Sequence, residues 1–172
     1  MAGVLLTARR AAAYLIDVAL LAAVLLPIAV AVSIVLGTEE LAGFQVWLRS
    51  AAMISVPAWT YFVVTEHRWG RGIGKRLLGL RTVAAGTDAP PPWGAALLRT
   101  AVTLAPWEMT HLAFFAFARR PGEVTAPQIV LASLAYLLLF ALIFGTLRSG
   151  GRRSPADALA GTEVRPIPGN AG

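Results

Sequence analysis

Cysteine is absent from the 172-residue chain, so it has no disulfide framework and no thiolate site. Charge is scarce: 14% of residues are Asp, Glu, Lys or Arg against 57% hydrophobic, and mean hydropathy is +0.67. That balance excludes an ordinary water-soluble globule. Lysine is nearly missing, with Lys75 alone beside fourteen arginines, a bias that suits a GC-rich bacterial genome. The net charge of +6 is not the footprint of a nucleic-acid binder, because the basic residues flank apolar spans. There they set orientation and meet anionic lipid headgroups. No Ser-His-Asp set, metal cage or pair of catalytic carboxylates assembles at workable spacing. Neither an enzyme nor a cofactor or metal is expected.

What the chain does have is long apolar runs, in a length that suits one domain. Ala11–Leu36 exceeds the roughly 20 residues that cross a bilayer. Arg9-Arg10 ahead of it imitates a signal peptide. The run is too long for that, contains Asp17, and precedes three further apolar spans. Those spans cover about 41–65, 95–118 and 126–147; Pro27 kinks the first span, which neighbouring helices make tolerable, and Pro57 lies within the second. Between them lie the acidic loop Gly37-Thr38-Glu39-Glu40, a long polar stretch from Glu66 to Gly94, and the short loop Arg119-Arg120-Pro121-Gly122-Glu123. With the N-terminus cytoplasmic, twelve basic residues fall inside, against Arg119 and Arg120 outside. The expected fold is an all-α membrane protein: a four-transmembrane-helix bundle with both termini cytoplasmic and a short interfacial C-terminal helix. A single membrane domain over residues 1–165 and a flexible tail at 166–172 complete it. The expected location is a bacterial inner membrane.

The central loop looks briefly like a phosphate loop at Gly70-Arg71-Gly72-Ile73-Gly74-Lys75-Arg76. A Walker loop needs four residues between Gly and Gly-Lys, and then Ser or Thr, so nucleotide binding is rejected. From Ile73 to Val83 apolar and basic residues alternate, which predicts an amphipathic segment on the inner leaflet. Arg71, Lys75, Arg76 and Arg81 are its expected lipid-facing basic residues.

Ionisable side chains inside apolar spans carry the functional expectation, because lipid makes them expensive. Asp17 lies a quarter of the way into the first span, and Arg99 matches its depth in the third. Arg10 stands two helical turns before Asp17 on the same face. Two readings are open: a salt bridge that locks spans together, or a carboxylate that binds a proton or small cation with Arg99 or Arg10 as its competing internal charge. In Pro106-Trp107-Glu108-Met109-Thr110-His111, Glu108 and His111 share one helical face. A buried acid beside an imidazole suits a proton relay. The alternative is a structural cluster in which Glu108 pairs with Arg49. A metal at Glu-x-x-His would need a second such motif, and the chain has none. In the tail, Ser154 is a good N-cap, Pro155 suits the first turn, and Asp157 favours the dipole. That short helix is expected to dock on the arginine-rich loop.

Taken together, the motifs resemble the RDD family of small bacterial membrane proteins, named for one arginine and two aspartates. The resemblance rests on Arg10-x-x-Ala13-x-x-Ile16-Asp17, Gly74-Lys75-Arg76-Leu77-Leu78-Gly79-Leu80-Arg81, Leu98-Arg99, and Arg153-x-x-x-Asp157-x-x-x-Gly161-Thr162. It implies that Arg10, Asp17 and Asp157 are the signature residues; the Pro106–His111 run resembles a subgroup. The family pattern Gly-Gln-Thr-x-Gly-Lys is replaced here by Gly70-Arg71-Gly72-Ile73-Gly74-Lys75. Ala156 stands where a histidine is usual, so any role of that histidine is absent. Some members behave as sodium/proton antiporters, so the resemblance implies cation/proton exchange. Four spans are few for alternating access, and a homodimer would supply the paired repeats that transporters use. The other class of reading is a non-transporting scaffold that binds anionic lipid or a cytoplasmic partner.

Overall fold

The computed structural model describes residues 2–37, 43–116 and 124–167. The acidic loop at Thr38, Glu39 and Glu40, the basic loop at Arg119 and Arg120, and the tail beyond Ile167 lie outside the described residues.

Helix α1 runs Ala2–Leu36 with Pro27 inside it, so it begins nine residues before the apolar run. The second long rod is composite: α2 (Phe44–Ser50), a π-helical stretch (Ala51–Ser55) and α3 (Val56–Trp69). The wide turn sits just before Pro57, whose ring would clash with the carbonyl four residues back in a regular α-helix. Gly70 stops α3 at φ 67°, and its amide bonds Glu66 O at 2.9 Å. Helix α4 (Ile73–Leu77) and strand β1 (Leu80–Ala84) follow. Then come α5 (Trp93–Ala116), α6 (Ala126–Arg148), α7 (Pro155–Ala160) and strand β2 (Thr162–Pro166).

The chain is mostly helical but not all-α, which corrects the expectation. β1 and β2 pair antiparallel, Leu80 opposite Pro166 and Ala84 opposite Thr162. The alternation over Ile73–Val83, read as an amphipathic surface segment, is partly the period of two of a strand. Leu80 and Thr82 are buried while Arg81 between them is half-exposed. Leu80, Val164 and Ala13 form a small apolar core that ties this sheet to α1. The predicted tail helix is present and tightly capped: Ser154 Oγ accepts from the Asp157 amide at 3.1 Å, and the Asp157 carboxylate accepts from the Ser154 amide at 2.8 Å. It is followed directly by β2, which pairs with β1 of the central loop.

Burial is inverted relative to a soluble protein. Leu20, Val24, Val30, Ile34, Leu137, Phe140 and Phe144 are exposed, while Asp17, Glu66, Arg99, His111 and Asp157 are buried. Two helices, Ala2–Leu36 and Ala126–Arg148, are long and apolar enough to cross a membrane, with mean hydropathy of 2.9 and 2.4 over their most apolar windows.

α4 lies so close to α1 that a side chain at Gly74 would overlap the Ala13 carbonyl. Gly74→Ala is therefore expected to cost about 1–3 kcal/mol as an overpacked contact. Gly94→Ala, where a Cβ meets open space, is expected to be neutral or stabilising. Unfolding midpoints of both variants in detergent check this.

Candidate functional site

The polar groups gather at the end of the bundle where α1 starts, α3 ends, α5 starts and α6 ends. Asp157, fully buried, is their anchor. Its Oδ2 takes Arg10 Nη2 at 2.5 Å and the Ser154 amide and hydroxyl, each at 2.8 Å. Its Oδ1 takes Arg99 Nε at 2.6 Å and Thr162 Oγ1 at 3.1 Å. Arg10 Nη1 also bonds the Gly151 carbonyl at 2.8 Å. Burial alone would raise the Asp157 carboxyl, but Arg99, Arg10 and the Ser154 amide outweigh it and hold the group well below the usual carboxylate range.

Arg99 continues the chain of charges, its Nη1 lying 2.6 Å from Glu66 Oε1. The same oxygen takes Lys75 Nζ, which also donates to Thr82 Oγ1 at 2.8 Å. Burial lowers Lys75 to about 8; Arg99 pushes in the same direction and Glu66 opposes. Glu66 Oε2 and Thr100 Oγ1 are enclosed with no hydrogen-bond partner among the described residues. Next to this cluster Asp17 Oδ1 accepts from Tyr61 Oη at 2.5 Å and from the Gly74 amide at 2.8 Å, while Tyr61 Oη accepts from the Ile73 amide at 2.8 Å. Asp17 thus fastens the start of α4 to α1 and α3.

A second polar cluster sits deeper, where the π turn faces α5. Ser50 Oγ is 2.8 Å from His111 Nε2, and Ser55 Oγ is 3.3 Å from His111 Nδ1. Residues five apart align on a π-helix and not on an α-helix, so the wide turn is what lets two serines reach both ring nitrogens. Glu108 accepts from Ser55 Oγ and Trp59 Nε1, each at 3.0 Å, and lies 3.9 Å from His111 Nδ1.

Between α1, α3, α5 and α6 runs a cavity of about 600 Å³. Arg10, Glu66, Lys75 and Arg99 line the end where α5 starts and α6 ends, and Leu104, Trp107, Ala135 and Tyr136 line it farther along those two helices. Leu15 on α1 and Tyr136 on α6 line it too and are 64% and 62% exposed, so it opens between those two helices.

Several expectations change. Asp17 pairs with neither Arg99 nor Arg10: both arginines turn to Asp157, whose paired oxygens offer two charge-assisted contacts at the same depth. Arg49 does not reach Glu108; it caps carbonyls of α1, Gly37 O at 2.6 Å and Val32 O at 3.3 Å. Lys75 faces inward and not toward lipid, because the α4 turn aims it at Glu66. Arg81 is half-buried on the sheet with its Nε enclosed. Arg71, half-buried, and Arg76, exposed, line a small surface groove with Trp69 and Ile73. Glu108 and His111 do share a face, as their spacing predicts. Glu66 was missed because it stands at the edge of the polar stretch; its signal was an acid in the last turn of an apolar helix, four residues before the Gly70 stop.

Fold and cluster together define a small helical protein of membrane character, organised around a buried network of arginine, lysine and carboxylates. The profile of the RDD family matches residues 6–161, most of the chain, and the protein belongs to that family. No curated protein matches it. No solved structure matches it.

Removing the Asp157 charge leaves Arg10 and Arg99 buried without their shared partner, a loss of about 3–5 kcal/mol. Asp157→Asn should accordingly lower the unfolding midpoint sharply or abolish accumulation of folded protein. Because the folded carboxyl is depressed, its contribution is complete above about pH 4, the unfolded aspartate range, and is lost only as pH falls through the lower folded value. Acidification from pH 8 to 5 should leave this contribution intact, as unfolding curves at the two pH values would show.

Proposed function

We propose that this RDD protein is a multi-pass protein of a bacterial inner membrane, with four spans and both termini cytoplasmic, that exchanges a proton for a small cation at the Glu66–Lys75 pair. The arginine bias supports the orientation, and the gathering of the central loop and both described chain ends at one end of the bundle agrees with it. The exchange reading rests on one observation: Lys75 is buried against a carboxylate and is lowered to about 8, within reach of working pH.

The chemistry is balanced. Loss of one proton from Lys75 leaves the Glu66 carboxylate without that partner, and one monovalent cation takes its place beside Glu66 and Thr82. Reprotonation of Lys75 expels it. Arg99 stays charged throughout, holding Glu66 in position, so the site is not left empty of positive charge. The exchanging carboxylate is then Glu66, with Asp17 fixing the loop that carries Lys75 and Arg10 holding Asp157. Glu108 and His111, joined through Ser55, form a proton relay farther along α5, and a homodimer would provide the second half that alternating access uses.

The second reading, a scaffold without transport, draws on a specific fact: each carboxylate of the inner cluster already has a partner in the chain that bridges distant elements. The two readings part on Lys75→Arg, which keeps the charge but cannot release it near neutral pH. Exchange predicts cation-driven proton flux in liposomes that rises as pH passes about 8 and disappears in folded Lys75→Arg. A folded, inserted wild-type protein without flux sinks exchange and leaves the scaffold.

A further inference from the structure

The cavity between α1, α5 and α6 has the proportions of a lipid chain. It spans Arg99 to Thr110 on α5, which at the α-helical rise is about 16 Å. One leaflet of hydrocarbon, half of the roughly 30 Å core, is about 15 Å. Its volume of about 600 Å³ lies in the range of ligand pockets. Its deep walls are apolar, its mouth faces the lipid side between Leu15 and Tyr136, and its charged end lies near the first turns of α5, where headgroups sit.

The charged end restricts the head. Arg10, Lys75 and Arg99 are balanced by Asp17, Glu66 and Asp157, so the cluster is neutral as a whole and a net charge added there would be uncompensated. Glu66 and Thr100 line the cavity and are each 2% exposed, and their enclosed Oε2 and Oγ1 atoms have no partner among the described residues. An unpaired buried carboxylate oxygen calls for a donor. A net-neutral head that brings both a hydrogen-bond donor and an anionic group meets these conditions.

We propose that the cavity binds an aminophospholipid of the inner leaflet, with one acyl chain along α5 and α6 and the zwitterionic head at the charged end. The primary ammonium is held by Glu66 and Thr100 and the phosphate by the arginines. This rests on the membrane-spanning part of the preceding reading and shares Glu66 with it, Lys75 taking Oε1 and the lipid ammonium Oε2.

The test uses the full chain reconstituted in vesicles of equimolar phosphatidylethanolamine, phosphatidylcholine and phosphatidylglycerol with identical chains, then extracted and weighed by native mass spectrometry. Phosphatidylcholine lacks N–H donors, and phosphatidylglycerol carries net charge. The expected result is one retained phosphatidylethanolamine per chain, enriched about two- to tenfold over the other two, as one or two hydrogen bonds give. Thr100→Val removes an unpartnered hydroxyl, so the fold is expected to be as stable as wild type or more so while the enrichment falls. Ala11→Trp, at an exposed position on the cavity wall beside Arg10, should reduce retention of all three lipids. Equal retention of the three, enrichment of phosphatidylglycerol, or enrichment that survives both substitutions overturns the proposal. Recovery of the protein in the soluble fraction would instead refute the spanning helices, and the liposome flux of wild type and Lys75→Arg tests exchange separately.

Discussion

A carboxylate taken out of water has to be given back its hydrogen bonds, and Asp157 receives five: two from guanidinium groups, two from Ser154 and one from Thr162. The donors come from α1, α5 and the tail, so this one side chain fixes where three separated stretches of chain meet. Arg99 then passes the constraint to Glu66 on α3, and Glu66 passes it to Lys75 on α4. Removing any link leaves a charge in a place that cannot solvate it. The apolar surfaces of the helices cannot supply this specificity, since lipid competes for them on equal terms. Polar contacts decide the arrangement.

The same logic explains a departure from the family pattern. Where threonine is usual the chain has Gly72, and a side chain there would come 2.8 Å from Asp17 Oδ2 and from Tyr61 Oη. Tyr61 reaches across and supplies the hydroxyl that Asp17 needs. A large aromatic from α3 and a bare glycine on the loop are a matched pair, and restoring the threonine alone would crowd the phenol. Ala156, in the place of the usual histidine, is buried against the base of the cluster, where the tail packs without a further polar group.

Much of this was legible from residues alone. Length and hydropathy marked the helical runs, and Ser154 with Pro155 marked α7, because caps and apolar length are local properties. The face shared by Glu108 and His111 followed from helical spacing. Pairing was not legible. Depth-matching put Asp17 with Arg99, but depth does not say which of two carboxylates comes from a chain segment folding in from outside. The β1–β2 pair was hidden because Leu80–Ala84 and Thr162–Pro166 are each five residues long and neither alternates apolar and polar along its whole length. The π turn had Pro57 as its only trace, and Glu66 was obscured by the boundary drawn just before it.

Arg10 and Asp157 are 147 positions apart. At synthesis rates of about 5–20 residues per second, the arginine waits on the order of ten seconds or more before its partner is made. Arg99 waits a shorter time for the same group. Throughout that interval the helices can be in place while Arg10 lacks its carboxylate and Arg99 has only Glu66, so helix assembly and full charge neutralisation are separate events in the life of the chain. The closing of α7 and β2 over the inner end is what converts an inserted intermediate into a finished fold. Until then the protein presents Arg10 without a carboxylate and Arg99 with Glu66 alone at that end of the bundle, a form that a chaperone or protease can tell from the completed one.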